Sequence, residues 1–381
     1  MPLSGVRVLD LSRLAPGPYA TRLLAEMGAD VLKVEPPNGG DYMRWIPPLT
    51  GEPPQGATFH ELNAGKRSVV LNLKDPEHVK VCEELAMKAD ILVDGFRPGV
   101  MAKLGLDPAE LMQKNPRLIY CAITGFGLTG PDANRPGHDI NYVARAGVLA
   151  TNGNEAMPHT IGVQVADFGG AMVAVAGITA ALFQREKTQK GSVVDVSLTE
   201  SAMAFNAINQ GAVHGGHEHQ RGHELLDGSR PCYRVYECKE GFLAVGAIEP
   251  KFWGPFLQII GHPELLDCGF DTGKPGLEAI EKIQTKLLTK TRDEWMELFG
   301  SVDCCVEPVL ELHEVDQDPQ HVARGLLSEA NTTRSPIRIH EPGQGEAKPK
   351  SVSRSPGLGE DQQSTLANWG ISPDMISRID T

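Results

Sequence analysis

The strongest constraint on this chain is an alternation of two hydrophobic periods along its first 125 residues. Residues 6–11 (Val-Arg-Val-Leu-Asp-Leu) read as a buried strand, 16–28 carry apolar residues at helical spacing, and 30–35 return to a β-rich run. That is a β-α-β unit. The rhythm continues with strands over 68–73, 90–93 and 118–123 and helices over 76–88 and 108–114. Strands separated by helices pair in parallel and place ligand sites outside the carboxyl ends of the strands. The expected fold is therefore α/β, a Rossmann-like parallel sheet in a large domain.

Further along, a long apolar helix rich in Ala and Gly is expected over 167–185, followed past Lys190-Gly191 by a strand over 192–196. The small residues suggest close packing. The large domain is placed at 1–200, joined by the C-terminal segment 330–381. Residues 201–224 form a linker, centred on the Gly-, His- and Gln-rich run 211–223. A smaller α+β domain occupies 225–320, with strands over 233–237 and 242–245. A return linker spans 321–350, overlapping a Pro-, Gly-, Ser- and Lys-rich run over 335–359, and a short helix closes the chain. No internal repeat or heptad run is visible.

Composition narrows the function. The chain has 381 residues, 41% hydrophobic and 22% charged, ordinary for a folded protein, and no apolar run reads as long enough to cross a bilayer. Residues 1–8 lead into a strand without a secretory pattern, so a cytoplasmic setting is expected. With 36 Lys+Arg against 49 Asp+Glu, the net charge of -13 argues against a broad nucleic-acid surface, and any anionic ligand needs a local basic pocket. Lys66, Arg67, Lys74 and Arg97, near expected strand ends, are candidates to pair with phosphates, though each taken singly reads as a surface charge. The seven cysteines are odd in number and show no C-x-x-C spacing, which points to reduced thiols. His214, His217, His219 and His223 sit in the linker with no rigid element to fix them, so no metal site is expected there.

Two motifs carry candidate chemistry. Gly137-His138-Asp139-Ile140-Asn141-Tyr142 supplies an imidazole, and Val165-Ala166-Asp167-Phe168-Gly169-Gly170 supplies a carboxylate where a helix begins. Read alone, Asp167 is a first-turn acid, His138 a satisfied turn histidine and Asp139 the N-cap of a helix over 140–149. Read together, His138 and Asp167 form an acid/base pair. Backbone N–H groups at the helix start after Asp167 are then candidates to hold a developing oxyanion. Glu249, at the end of a strand in the smaller domain, reads either as a turn carboxylate before Pro250 or as an acid that orients an imidazole across a domain or subunit interface. Gly125-Phe126-Gly127-Leu128-Thr129-Gly130 matches G-x-G-x-x-G, but Pro131 follows and no helix opens, so it reads as a glycine loop rather than a dinucleotide fingerprint.

These motifs, with Leu14-Ala15-Pro16-Gly17-Pro18, Gly65-Lys66-Arg67-Ser68, Leu71-Asn72-Leu73-Lys74, Phe96-Arg97-Pro98-Gly99-Val100 and Gly246-Ala247-Ile248-Glu249-Pro250, resemble the class III CoA-transferase family along nearly the whole chain, and its racemase branch in particular. The resemblance implies the class III CoA-transferase fold and an interlocked homodimer whose site uses both subunits. It implies an acyl-CoA substrate, with CoA as part of that substrate and no separate cofactor. His138 and Asp167 become the two bases and Glu249 the support of His138, while CoA contacts fall to Leu71, Asn72, Leu73, Lys74, Arg97, Gly137, His138, Asp139, Ile140, Asn141 and Tyr142. No membrane or nucleic-acid partner is implied. Three departures stand out: Val163 where the racemases carry Asn, Arg230 within Leu226-Asp227-Gly228-Ser229-Arg230-Pro231 where they carry small residues, and Pro36 where they carry Arg.

Two enzymatic readings follow. In the racemase reading, one base removes the α-proton of a 2-methyl-branched acyl thioester and the other returns a proton to the opposite face of the enolate. In the transferase reading, Asp167 is a nucleophile that forms a covalent intermediate while CoA passes between carboxylic acids, with Arg230 a candidate to hold the acceptor. A third reading is a CoA-binding subunit without catalysis. The His138 setting favours the racemase, because Asp167 is common to both enzymes.

Overall fold

The computed structural model describes residues 1–328, 330–339 and 353–379. They form two compact units: Met1–Ala146 with Val163–Phe205 and Gln320–Thr381, and Gly147–Gly162 with Asn206–Pro319.

The first unit is built on a parallel sheet. Its strands are β1 (Arg7–Asp10), β2 (Asp30–Glu35), β3 (Leu49–Thr50), β4 (Gln55–Gly56), β5 (Arg67–Val70), β6 (Ile91–Asp94), β7 (Ile119–Thr124) and β8 (Val193–Ser197). Six of them pair in the order β5-β2-β1-β6-β7-β8, every pair parallel, while β3 and β4 make a separate antiparallel hairpin. All of β6 and β7 is buried, as strands covered on both faces require. Helix starts follow local chemistry: Pro16, Pro76 and Pro108 open helices at positions whose N–H would be unpaired, and Asp75 and Asp107 cap them through Glu77 N–H (2.8 Å) and Ala109 N–H (2.8 Å).

The long apolar helix runs Val165–Thr188, beginning two residues earlier and ending three later than its expected span. It packs against the Pro16–Glu26 and Leu198–Ala204 helices and against β7 and β8. Its glycines permit that approach, since a Cβ on Gly170 would lie 2.3 Å from Leu198 Cδ2 and one on Gly177 2.6 Å from Val194 Cγ1. By length and composition this helix is able to cross a membrane, which corrects the reading that no such run exists. Ala166, Ala171, Ala174 and Ile178 are fully buried on its sheet-facing side, as in a core helix.

Other expectations need adjusting. The strand expected over 68–73 ends at Val70, with Leu71 N–H still bonded to Glu35 O (2.9 Å) and Asn72 O turning back to accept from Asp75 N–H (2.8 Å). The helix expected over 140–149 is two helices, Asp139–Arg145 and Val148–Thr151, because Gly147 takes φ +77 between them. The stretch 201–224 read as linker is partly helical: the Leu198–Ala204 helix runs into it and the Ala207–His214 helix lies wholly inside it. Of the expected return linker, residue 329 and residues 340–350 lie outside the described residues. Two helices, Gln362–Asn368 and Pro373–Ile379, stand where one was expected, and their Leu366, Trp369 and Ile376 join Leu32, Val69 and Leu85 in the core.

The second unit carries an antiparallel sheet, β11-β10-β9, from β9 (Tyr233–Glu237), β10 (Phe242–Gly246) and β11 (Val306–Pro308). Its core is aromatic: Trp253 stacks on Phe256, Phe256 on Phe299 and Phe299 on Trp295, with centroids 5.3–5.8 Å apart.

Candidate active site

The sheet order reverses between β1 and β6, with β2 and β5 on one side and β7 and β8 on the other. Outside the carboxyl ends of these strands is where open α/β sheets bind ligands, and there lies a cleft of about 210 Å³. Ser12, Arg13 and Leu14 reach it from β1, Gly95, Phe96 and Arg97 from β6, Thr124 and Gly125 from β7, and Leu198 from β8. Arg135, Gly137, His138, Tyr142 and Asp167 also line it. The cleft thus gathers both candidate bases with Arg97, Gly137 and Tyr142. Leu71 is buried in the core, Asn72 and Leu73 follow the edge strand β5, and Lys74 is exposed beyond it; none lines the cleft, nor do Asp139, Ile140 or Asn141.

Tyr142 explains two glycines. Its hydroxyl donates to Gly137 O (2.7 Å) and its ring meets Phe126 edge-on at 5.3 Å. A Cβ on Gly125 or Gly137 would come within 2.5 or 2.6 Å of that ring. Gly125, in the dinucleotide-like decoy, therefore serves side-chain packing, and the loop after it is pinned by Leu128 N–H donating to the Asp195 carboxylate (3.1 Å).

His138 is the N-cap residue of the Asp139–Arg145 helix; its N–H donates to Asn141 Oδ1 (3.0 Å), and the imidazole is exposed. Asp139, expected to cap this helix, instead serves the one bearing Asp167: its Oδ1 accepts from Ala166 N–H (2.7 Å) and Asp167 N–H (3.0 Å). Val165 N–H donates to Val163 O and Phe168 N–H to Gln164 O. The donors expected to await an oxyanion at this helix start are thus already engaged within the protein. Burial, reinforced by the Asp139 charge and opposed by His138, pushes the Asp167 carboxyl up to about 6.

The basic residues divide sharply. Lys66 is buried beneath the site, its Nζ reaching Asp10 Oδ2 (3.1 Å), Pro18 O (2.8 Å) and Asn63 Oδ1 (2.9 Å), and is not available to a phosphate. Lys33 shares the layer, pairing with Asp41 (3.0 Å) and Ser12 O (2.8 Å). Burial would raise the Asp10 pKa, but the two ammonium groups with Ser12 and Thr21 hold it far below the usual carboxylate range. Burial pulls Lys66 down to about 8 despite Asp10. Arg67 pairs with Asp30. Arg97 remains, exposed and without a salt bridge among the described residues, joined by two residues that sequence reasoning missed. Arg13 lies 5.3 Å over the Phe96 ring, and Arg135 holds Asp132 at 3.4 Å. Arg13 was legible in principle, since it follows β1 where that strand opens to solvent. Three guanidinium groups give an acidic chain its local basic pocket.

The remaining candidates lie elsewhere. Glu249, in the second unit, is the exposed N-cap residue of the Pro250–Ile260 helix and makes no side-chain cap bond. Arg230 donates to His223 O (2.8 Å) and Phe270 O (3.2 Å), so its guanidinium braces local backbone instead of standing free for an acceptor. Val163 is exposed just before the long helix, and Pro36 follows β2. A larger hollow of about 590 Å³ within the second unit includes His219, Arg221 and His223. There His223 pairs with Glu155 (2.8 Å) and Arg221 donates to Asn154 O (2.6 Å), leaving structural pairings where a site needs free groups. No metal-ligating cluster occurs among the described residues, whose seven cysteines are free thiols.

A parallel α/β sheet with a guanidinium-lined cleft at its switch point, holding an imidazole and a raised carboxyl, has the architecture of an α/β enzyme with a locally basic site. The profile of CoA-transferase family III matches residues 3–362, and the chain belongs to that family. It is 35% identical to human (Homo sapiens) alpha-methylacyl-CoA racemase, covering 100% of this chain and 97% of that one. It is 32% identical to mouse (Mus musculus) succinyl-CoA:glutarate CoA-transferase over 87% of this chain and 77% of the relative. Among solved structures, a CAIB/BAIF family protein from Brucella suis superposes with a TM-score of 0.84 at 29% identity, covering 97% of this chain and 99% of that one.

Proposed function

We propose that the protein is an acyl-CoA racemase or epimerase that inverts the α-carbon of a 2-methyl-branched acyl-CoA thioester by 1,1-proton transfer. The observation that carries this reading is the meeting of His138 and Asp167 in one cleft at the switch point of the sheet. One base takes the α-proton from one face, an enolate forms, and the conjugate acid of the other delivers a proton to the opposite face. A carboxyl near 6 suits the exchange, because it accepts and releases protons with little driving-force penalty near neutral pH. Arg97, with Arg13 and Arg135, supplies charge for the CoA phosphates, and the active assembly is a homodimer in which Glu249 supports His138.

A chiral 2-methylacyl-CoA incubated in heavy water should gain deuterium at the α-carbon and lose optical activity. Replacing His138 by Ala or Asp167 by Asn should slow exchange by about 100- to 10,000-fold, the usual worth of positioned proton transfer. Absence of exchange across a panel of branched acyl-CoAs would sink the proposal. The likeness to succinyl-CoA:glutarate CoA-transferase supports the second reading, in which Asp167 is the nucleophile of CoA transfer between carboxylic acids. Trapping of an Asp167 thioester by hydroxylamine, with CoA transfer and no α-deuteration, would select it.

A further inference from the structure

We infer that Asp139 is a positioning residue: one position along from His138, its carboxylate clamps the first turn of the helix that carries Asp167 and so fixes the two reactive side chains relative to each other. The argument begins with the helix start. The first N–H groups of a helix lack intrahelical acceptors, and a side chain at the N-cap normally satisfies one or two of them. Gln164 occupies that place and supplies no side-chain bond. The acceptor comes from Asp139 instead, which takes Ala166 N–H at 2.7 Å and Asp167 N–H at 3.0 Å through one oxygen. Both bonds are charge-assisted, the strong kind, and they join elements 27 and 28 residues apart.

His138 and Asp139 leave the same turn, so the clamp makes the place of the Asp167 backbone depend on the segment that sets the imidazole. It also puts a like charge beside the Asp167 carboxyl. Other ionisable groups near it are His138, which opposes that effect, and Tyr142, which with Arg97 lies in the same cleft. On the elements packed against the long helix, Tyr19 meets the neighbouring Phe168 edge-on at 5.0 Å, Arg22 is held by Glu26 and Glu61, and Asp195 accepts from Leu128 N–H. On the Leu198–Ala204 helix, Glu200 lies in the first turn. Charge acts on Asp167 chiefly through Asp139 and His138.

The functional part of this role rests on Asp167 being the reactive carboxylate, which both enzymatic readings share; the test also reads quantities that do not depend on activity. Asp139→Asn keeps a carbonyl oxygen to accept both N–H bonds and removes the charge, whereas Asp139→Ala removes both. With carboxyl-labelled aspartate, the Asp167 titration midpoint should fall by at least half a unit in the Asn variant, and the acid limb of α-proton exchange should move with it. In the Ala variant, hydrogen-exchange protection of the Ala166 and Asp167 amides should drop at least tenfold and turnover at least a hundredfold, with Asn restoring most of that turnover. An unmoved midpoint in the Asn variant together with undiminished amide protection in the Ala variant overturns the inference. Wild-type protein inactive in both assays, but with these NMR responses present, would overturn the functional reading and leave the clamp standing.

Discussion

Asp167 shows at the scale of one residue how a reactive site opposes stability. Its carboxyl ordinarily titrates near 3.8, and burial with the Asp139 charge lifts it to about 6 in the folded protein. The folded state therefore holds this proton more tightly than the unfolded state does. Stability from this group is full below about 3.8 and is lost as the pH rises to about 6, so above that the ionised carboxylate is a net cost. Two pKa units correspond to roughly 3 kcal/mol, and partial solvent contact reduces this. Asp167→Asn should therefore raise unfolding stability at pH 8 by about 1–2 kcal/mol and leave it unchanged near pH 3.5, a difference that urea titrations at the two values resolve. An equal gain at both would show that the charge is not the cause. The sequence announces the chemistry of such residues but not their partners. Lys66 and Asp10 are 56 positions apart, and nothing local in Gly65-Lys66-Arg67 reveals that the ammonium points into the core. Arg97, by contrast, lies just past the end of β6 at the cleft, a position that the strand pattern alone makes visible.

At the scale of elements, the hydrophobic periods carried most of the fold, because strand and helix differ in which neighbours share a face. They could not set the ends. Gly147 breaks an apolar run that reads as one helix, and Asp139 caps a helix other than its own, a relation that only the tertiary structure establishes. The long Val165–Thr188 helix is the clearest success: its Ala and Gly content foretold close packing, and Gly169, Gly170 and Gly177 face Phe205, Leu198 and Val194 with no room for a Cβ. Gly170→Val should lower stability by about 1–3 kcal/mol, the usual cost of overpacking, although valine is the better helix former of the two. Because Asp167 lies one turn away, the same change should reduce α-proton exchange beyond what lost folded protein explains. A variant as stable and as active as the wild type would show that these helices slide freely past one another.

At the scale of the molecule, the long helix has a second apolar side. Met172, Val173, Ala176, Ala180 and Phe183 are exposed along one stripe, and Phe183 is 67% accessible with only Lys187 over its ring. A stripe of this kind at helical spacing on a surface in water points to an interface, and a homo-oligomer with closed symmetry is the commonest way to cover one. This is why we place it in the contact between two copies of the chain, in keeping with the proposed homodimer in which Glu249 of one copy would support His138 of the other. The wild type should sediment at twice the chain mass at micromolar concentration. Val173→Asp with Phe183→Asp puts two charges on the stripe and leaves the buried side of the helix untouched, so the double variant should sediment at the mass of one chain with its helix content intact. Its α-proton exchange should fall with the dimer fraction, since His138 would lose the supporting carboxylate while Asp167 keeps its place. A double variant that remains dimeric would move the interface to another surface. A monomeric wild type with full exchange activity would remove the partner's glutamate from the mechanism and leave His138 and Asp167 to act within one chain.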